Sequence, residues 1–230
     1  MYHYLEDGLE ELRTKLIKMG SLVEEQIDFA LKCLFEGNKE LGNIVIDRDS
    51  KVDIYDVKID KLCQKIFALT QPVAVDLRLI MSALKINNDL ERIGDIAVNI
   101  VERANKLEGK LYLLKEFGIT EMAEKAKIIV SKTIDSIVNN DHEIAMGVIK
   151  SDTIIDKMET DIFENIIGKM ESDSAIIRTG VICLSLVKNL ERLADHSTNI
   201  AEEIVFLVDS KIIKHKKNLG DLDIKAEEII

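Results

Sequence analysis

The stretch "NDLERIGDIAVNIVE", Asn88 to Glu102, decides how this chain is read. Leu90, Ile93, Ala97 and Ile100 recur at steps of three and four, which is the apolar stripe of a helix packed on one side. Glu91, Asp95, Asn99 and Glu102 fall within an arc of roughly 80° at 100° per residue, mostly away from that stripe. A second stretch, "KNLERLADHSTNIAE" from Lys188 to Glu202, repeats the pattern with Glu191, Asp195, Asn199 and Glu202. Seven of the fourteen positions from 89 to 102 are identical to those at 189 to 202, at a constant offset of 100 residues.

Working outward, the repeat extends over most of the chain. Met19 matches Met122, and Asp49, Val52 and Asp53 match Asp152, Ile155 and Asp156, here at an offset of 103. From Arg78 and Arg178 onward the offset is 100, so the second copy is three residues shorter between its second and third helices. A length change confined to a loop is what a tandem duplication leaves behind. Leu5, Leu9, Leu12, Leu16, Met19, Val23, Ile27, Ala30 and Leu34 mark a first helix, and a turn is expected near Gly37. A second helix is expected from about Glu40 to Leu69, stopped by "TQP" because proline disfavours helix in the residue before it. A third runs from about Ala74 to Asn105. The segment from Lys106 to Ile119, broken at Gly109 and Gly118, links the copies, with room for a helical turn. Helices over about 120–139, 142–170 and 174–208 complete the second copy. The predicted fold is all-α: two tandem three-helix bundles, at 1–108 and 109–208, then a charged tail at 209–230.

Composition agrees. Of 230 residues, 47% are hydrophobic, 32% are charged and one is proline, which favours long amphipathic helices over a sandwich or barrel. A net charge of -11 argues against nucleic acid, whose phosphates it would repel, and suits cations or basic protein surfaces. The basic run Lys214-His215-Lys216-Lys217 reads as a solvated tail. Cys33, Cys63 and Cys183 are odd in number and far apart, so buried reduced thiols are expected rather than a disulfide framework or a zinc site. No apolar run approaches the roughly 20 residues of a membrane span, and the N-terminal sequence has no signal-peptide character, so a cytoplasmic protein is expected.

The acids carry the functional argument. Asp49, Asp53 and Asp56 stack on the second helix, as do Asp152, Asp156 and Glu159 on its counterpart. An antiparallel neighbour brings Asp49/Asp53 beside Glu91/Asp95, and Asp152/Asp156 beside Glu191/Asp195. Like charges at i and i+4 oppose each other by a few tenths of a kcal/mol per pair, and a cation reverses that sign. Carboxylate and amide oxygens are hard ligands, suited to Mg²⁺, Mn²⁺, Ca²⁺ or iron and less to zinc, with Asn99 and Asn199 each offering a neutral oxygen. A single acidic pair on a helix is usually a solvated face, and Arg92 and Arg192 are placed to pair with Asp95 and Asp195. Four pairs, two in each copy, argue for more. His196 corresponds to Ile96 and is expected at a helix surface or interface. Gly94 and Gly180 are expected to be close-packing points. The E-x-x-H pairing of ferritin-like di-iron bundles is absent. The residues alone leave three readings open: a metal-binding regulator, a carboxylate-bridged metalloenzyme, or a metal-free helical scaffold.

Both "LER-(I/L)-(G/A)-D-x-x-x-N-I" segments, with "PVAVDLRLIMSALKINNDLERIGDIAVNI" around the first, resemble the PhoU family of phosphate-uptake regulators. The resemblance covers roughly Leu9 to Val208. It implies two three-helix bundles and multinuclear metal sites at paired E/D-x-x-x-D motifs. Those sites map to Asp49, Asp53, Glu91 and Asp95, and to Asp152, Asp156, Glu191 and Asp195, with Asn99 and Asn199 following. It implies no enzyme activity. It implies instead a cytoplasmic adaptor, often dimeric, that restrains the phosphate ABC transporter through its nucleotide-binding subunit and restrains a linked sensor histidine kinase. Such an adaptor reaches the membrane only through its partners.

Overall fold

The computed structural model describes residues 2–107 and 109–210, and within them every regular element is helical. In chain order these are α1 (Tyr2–Glu36), α2 (Lys39–Leu69), α3 (Val75–Ala104), the short α4 (Tyr112–Glu116), α5 (Ile119–Asn139), α6 (His142–Ser172) and α7 (Ile177–Asp209). A single 3₁₀ turn, Ser174–Ile176, leads into α7. Residues 211–230, including the basic run, lie outside the described residues.

Local sequence sets the helix ends. Gly37 takes φ +67, the left-handed turn that lets α2 reverse on α1, and Asn38 caps α2 by accepting from the Leu41 amide. Thr70 ends α2 two residues before Pro72. The third helix begins at Val75 because Ala74 sits at φ 44, outside helical space. Asp141 caps α6 through the Ile144 amide. The link between copies is structured: Leu107, Leu113, Leu114 and Phe117 are buried, so it packs as part of the core.

α1, α2 and α3 form one antiparallel bundle, and α5, α6 and α7 form the other. The predicted stripes point inward: Leu12, Met19, Val23 and Leu34 of α1 are fully buried, as are Val45, Ile59 and Ile66 of α2. The matched methionines Met19 and Met122 are both at zero exposure, which places the two copies in equivalent packing. All three cysteines are free and buried, and burial pushes the Cys63 thiol up to about 12.

The bundles meet along two helix pairs, α1 with α5 and α3 with α7. Gly20 of α1 lets Ile134 of α5 approach: a Cβ there would lie 3.1 Å from the Ile134 Cδ1. Asp28 binds Lys127 across the same pair. α3 and α7 run antiparallel, and several polar links join them. Glu203, 1% exposed, accepts from the Ser82 hydroxyl at 2.9 Å and from Lys85 Nζ at 3.1 Å. His196 Nδ1 lies 2.9 Å from Asp89 Oδ1. Arg103 Nε donates to Ser185 Oγ at 3.0 Å. His196 is therefore the interface histidine that its substitution by isoleucine in the other copy suggests.

Glu203→Ala removes a buried acceptor from two donors. A hydrogen bond to a charged group contributes about 1.5–3 kcal/mol, and for a chain of this size we expect the melting temperature to fall by about 3–12 °C. Glu203→Gln, which keeps the shape and one acceptor, should lose less. An Ala variant melting with the parent would show that this link contributes nothing.

Candidate metal centre

One buried residue sets the rotation of each acid-bearing helix. In α2, Val52 is 1% exposed and lies between Asp49 and Asp53; in α6, Ile155 at zero exposure lies between Asp152 and Asp156. With that side chain fixed in the core, the flanking acids emerge along the edge facing the third helix of the bundle. From that helix, Leu90 and Ile93, or Leu190 and Leu193, are buried, and Glu91 and Asp95, or Glu191 and Asp195, emerge toward the same seam. Each acid set lies along a seam between two helices: Asp49, Glu91, Asp95, Asp152 and Glu191 are half-buried, whereas Asp53 and Asp195 are exposed.

The second bundle gathers its acids most tightly. Asp152, Asp156 and Asp195 each offer a carboxylate oxygen, and these oxygens all lie within 4.8 Å of one another. Among the described residues this is the one cluster of at least three acid, histidine or cysteine side chains with that spacing. Thr198 Oγ1 lies 3.5 Å from Asp152 Oδ1 at its edge. Glu191 is held beside the cluster by Lys188, whose Nζ is 2.9 Å from Glu191 and 3.2 Å from Glu159. Burial raises both Glu191 and Asp195 above the usual carboxylate range. The negative charge of Asp195 adds to the rise on Glu191, and the charges of Asp152 and Asp156 add to that on Asp195.

In the first bundle the same residues converge more loosely. Burial raises Asp49, and the negative charges of Asp53 and Asp95 raise it further. Burial also raises Glu91, with Asp95 and then Asp56 and Asp53 contributing. Gly94 permits this approach: a Cβ there would lie 3.3 Å from Val52 Cγ1 and 3.7 Å from Asp49 Oδ1. Arg92 occupies part of the acid set, its guanidinium 3.2 Å from Asp95 and 3.4 Å from Glu91. No matching ion pair joins Arg192 to Asp195 among the described residues, so the pairing expected in both copies is made in one.

The two asparagines have other hydrogen bonds. Asn99 donates to the Asp95 carbonyl oxygen at 3.0 Å, and the Asn199 amide lies 3.5 Å from Asp89 on the opposite bundle. Two features of the site were not read from sequence. Asn87 donates to Asp56 at 2.7 Å and to Asp60 at 3.3 Å, extending the first acid row by another turn. Lys188 acts as counter-ion to the second row; its position three residues before Glu191 was the available signal.

The donor set fits a hard cation. Carboxylates from two helices meet with their oxygens one ion's span apart, and a bound ion relieves the repulsion between them.

The PhoU domain family model matches residues 16–104 and again 119–204. The chain belongs to the PhoU family. Its two PhoU domains are the two copies read from the repeat. The chain is 36% identical over 208 residues to the phosphate-specific transport system accessory protein PhoU homolog of Aquifex aeolicus, covering 90% of this chain and 94% of that one. It is 30% identical over 217 residues to the corresponding homolog of Zymomonas mobilis, covering 94% and 92%. The crystal structure of PhoU from Pseudomonas aeruginosa superposes with a TM-score of 0.83 at 30% identity, over 89% of this chain and 99% of that one. The phosphate transport system regulatory protein PhoU of Streptococcus pneumoniae gives 0.82 at 25% identity, over 91% and 99%.

The raised carboxylates fix a pH dependence. The folded chain holds protons on Asp49, Glu91, Glu191 and Asp195 more tightly than the unfolded chain does. Their repulsion is therefore absent below the ordinary carboxylate range and grows as pH rises through the elevated values. In metal-free protein at neutral pH, Asp195→Asn should stabilise by about 0.2–0.5 kcal/mol, the size of one like-charge helix pair. That gain should disappear near pH 4. Denaturant unfolding at both pH values checks this, and a variant less stable at neutral pH would contradict it.

Proposed function

We propose that this chain is a metal-binding regulatory accessory protein of phosphate-specific transport. Support for the role comes from family membership and from relatives named as accessory or regulatory proteins of that system. The observation that carries the metal reading is the meeting of Asp152, Asp156 and Asp195 with oxygens within 4.8 Å. Asp152, Asp156 and Asp195 hold the metal in the second bundle, with Glu191 able to join from beside Lys188. Asp49, Asp53, Glu91 and Asp95 form the weaker site of the first bundle, where Arg92 competes for Asp95 and Glu91. Iron, manganese, magnesium and zinc are the candidate ions, and the row of acids leaves room for more than one.

A bound cation supplies positive charge that cancels the repulsion across the seam. The protein's contribution is to fix α6 against α7, and α2 against α3, once that repulsion is gone. The acid-lined face then presents a defined shape to its partners. The partners we assign are the nucleotide-binding subunit of the phosphate ABC transporter and its associated sensor histidine kinase, both restrained when phosphate is sufficient. The chain acts as a homodimer in the cytoplasm. No helix among the described residues is long and apolar enough to cross a membrane, so it meets the membrane through these partners.

Elemental analysis of untagged protein tests the metal reading. Wild-type protein should retain a transition or alkaline-earth metal, and Asp156→Asn/Asp195→Asn should lower the bound amount to that held by the first bundle alone. Equal metal in parent and variant would refute the site. The regulatory reading is tested separately: in a host lacking its own family member, the chain should repress a phosphate-starvation reporter at high phosphate, and an unrepressed reporter would refute it.

A further inference from the structure

The two copies have diverged at opposite ends of the α3–α7 pair, and the divergence is one of charge. At one end lie Arg78, near the start of α3, and Glu203 in the last turns of α7. At the other lie their equivalents, Arg178 and Arg103. Glu203 is neutralised by Lys85 and Ser82; the positions matching those donors hold Ser185 and Ile182. Asp76, in the first turn of α3, is matched by Ile176. Lys106 and Lys110 are matched by Phe206 and Ser210. Relative to the other end, the Arg178 end carries Arg103, Lys106 and Lys110, lacks counterparts of the acids Glu203 and Asp76 and of the cation Lys85, and has Asp173 and Glu108 in nearby sequence, in a chain whose net charge is -11.

Two of these cations share a groove, and the other two lie beside it along α7. Arg178 and Lys106 line an open groove of about 430 Å³, with Asn105, Val181 and Ile182 as its other walls. Lys110 Nζ donates to Thr179 Oγ1 at 3.2 Å, which puts it in the first turn of α7, and Arg103 reaches Ser185 two turns further on. All four cationic side chains therefore lie along the first three turns of α7. Among the described residues no ion pair within 4.0 Å is found for Arg178, Lys106 or Lys110, and Arg103 has only Glu102, at 3.7 Å. The segment 103–110 contains one acid, Glu108, which lies outside the described residues.

Helix electrostatics explain only half of this. Arg103 sits in the last turn of α3, where the helix dipole favours a cation. Arg178 sits in the first turn of α7, where the dipole opposes one; the 3₁₀ turn that leads into this helix is capped by Asp173, which accepts from the Ala175 amide, and no ion pair joins Asp173 to Arg178 among the described residues. An uncompensated guanidinium there becomes favourable when an anion lies between it and the amino groups of Lys106 and Lys110. The groove's volume is in the range of small-molecule sites.

We infer that the groove between the end of α3 and the start of α7 binds a phosphoanion of at least two negative charges, through Arg178, Lys106 and Lys110. This site lies at the end of the α3–α7 pair and does not depend on the carboxylate seams. Arg178 supplies the planar fork that matches two phosphoryl oxygens, and the lysines supply point charges. Val181 and Ile182 give the groove an apolar wall.

Titration calorimetry on the full chain, treated with chelator so that no anion is held through metal, tests this with inorganic pyrophosphate and with ADP as probes. Saturable binding is expected that weakens with salt. Arg178→Gln and Lys106→Gln should each reduce affinity by about tenfold or more, as the loss of a charge-assisted hydrogen bond implies. Asp156→Asn/Asp195→Asn should leave it unchanged. ADP binding more tightly than pyrophosphate would identify a nucleotide; equal affinity would identify the inorganic anion. Circular dichroism melts establish that the variants are folded. No saturable binding, binding indifferent to both groove variants, or an oligoglutamate peptide of equal charge binding as well as pyrophosphate would overturn the proposal, the last in favour of an acidic protein segment.

Discussion

The antiparallel contact of α3 with α7 is the constraint on which the rest of the molecule depends. Each of these helices buries residues around most of its circumference. Leu90, Ile93, Ala97 and Ile100 serve the first bundle's core, while Ser82, Asp89 and Ile96 are withdrawn from water as well. α7 repeats this with Leu190, Leu193, Ile200 and Ser197. A helix used on so many sides has little freedom to rotate, because turning it exposes one apolar set as it buries another. The polar links then fix the register. A slip of one turn would strand Glu203, 1% exposed, away from Ser82 and Lys85, and leaving a buried carboxylate without partners costs several kcal/mol.

That rigidity positions the acids. Glu91 and Asp95 follow directly from where Leu90 and Ile93 must sit, and Asp49 and Asp53 follow from Val52. Neither bundle can relieve its repulsion by turning a helix, since the turn would cost core burial of about 1.5–3 kcal/mol per large side chain against a few tenths per like-charge pair. The apolar term wins, and the carboxylates stay close, with the proton affinity of Asp49 and Asp195 raised. A stable core thus maintains a locally unfavourable surface, the usual arrangement at a site kept for a ligand.

Much of this was legible in the sequence because it depends on period and repetition. The three-and-four spacing predicts the helices, the 103-then-100 offset predicts the two bundles, and the stacked acids on neighbouring antiparallel helices predict that they lie side by side. The reading erred where geometry between helices decides. Arg92 and Arg192 occupy equivalent positions three residues before equivalent aspartates, yet only Arg92 closes its ion pair. In the second bundle the cation beside the acids is Lys188, whose counterpart in the first is Asn88. Asn199, spaced to join Asp195, also has its amide nitrogen 3.5 Å from Asp89 across the interface, a contact its own helix does not predict. Long flexible side chains choose among several neighbours within reach, and spacing along one helix cannot say which neighbour a second helix will offer.

The duplication also explains why the halves are similar without being interchangeable. Two identical copies packed about an antiparallel α3–α7 pair place each residue of one copy across from a fixed residue of the other. Any charged position is then met by its equivalents in a mirrored setting, and a change in one copy alters only one end. Asp89 and Asn189 show the effect: the acid meets His196 at 2.9 Å, whereas the Asn189 amide nitrogen is buried without a hydrogen bond, where the position matching His196 is Ile96. Arg103 and Glu203 show it again, one facing a serine and the other a lysine. Leu90 and Leu190, and Ile100 and Ile200, stay the same in both halves because each fills the same core space. Chemical asymmetry is found where at least one copy is polar, as at Ile96 and His196 or Ser82 and Ile182, and at such positions one end of the molecule became cationic while both flanks kept their carboxylates.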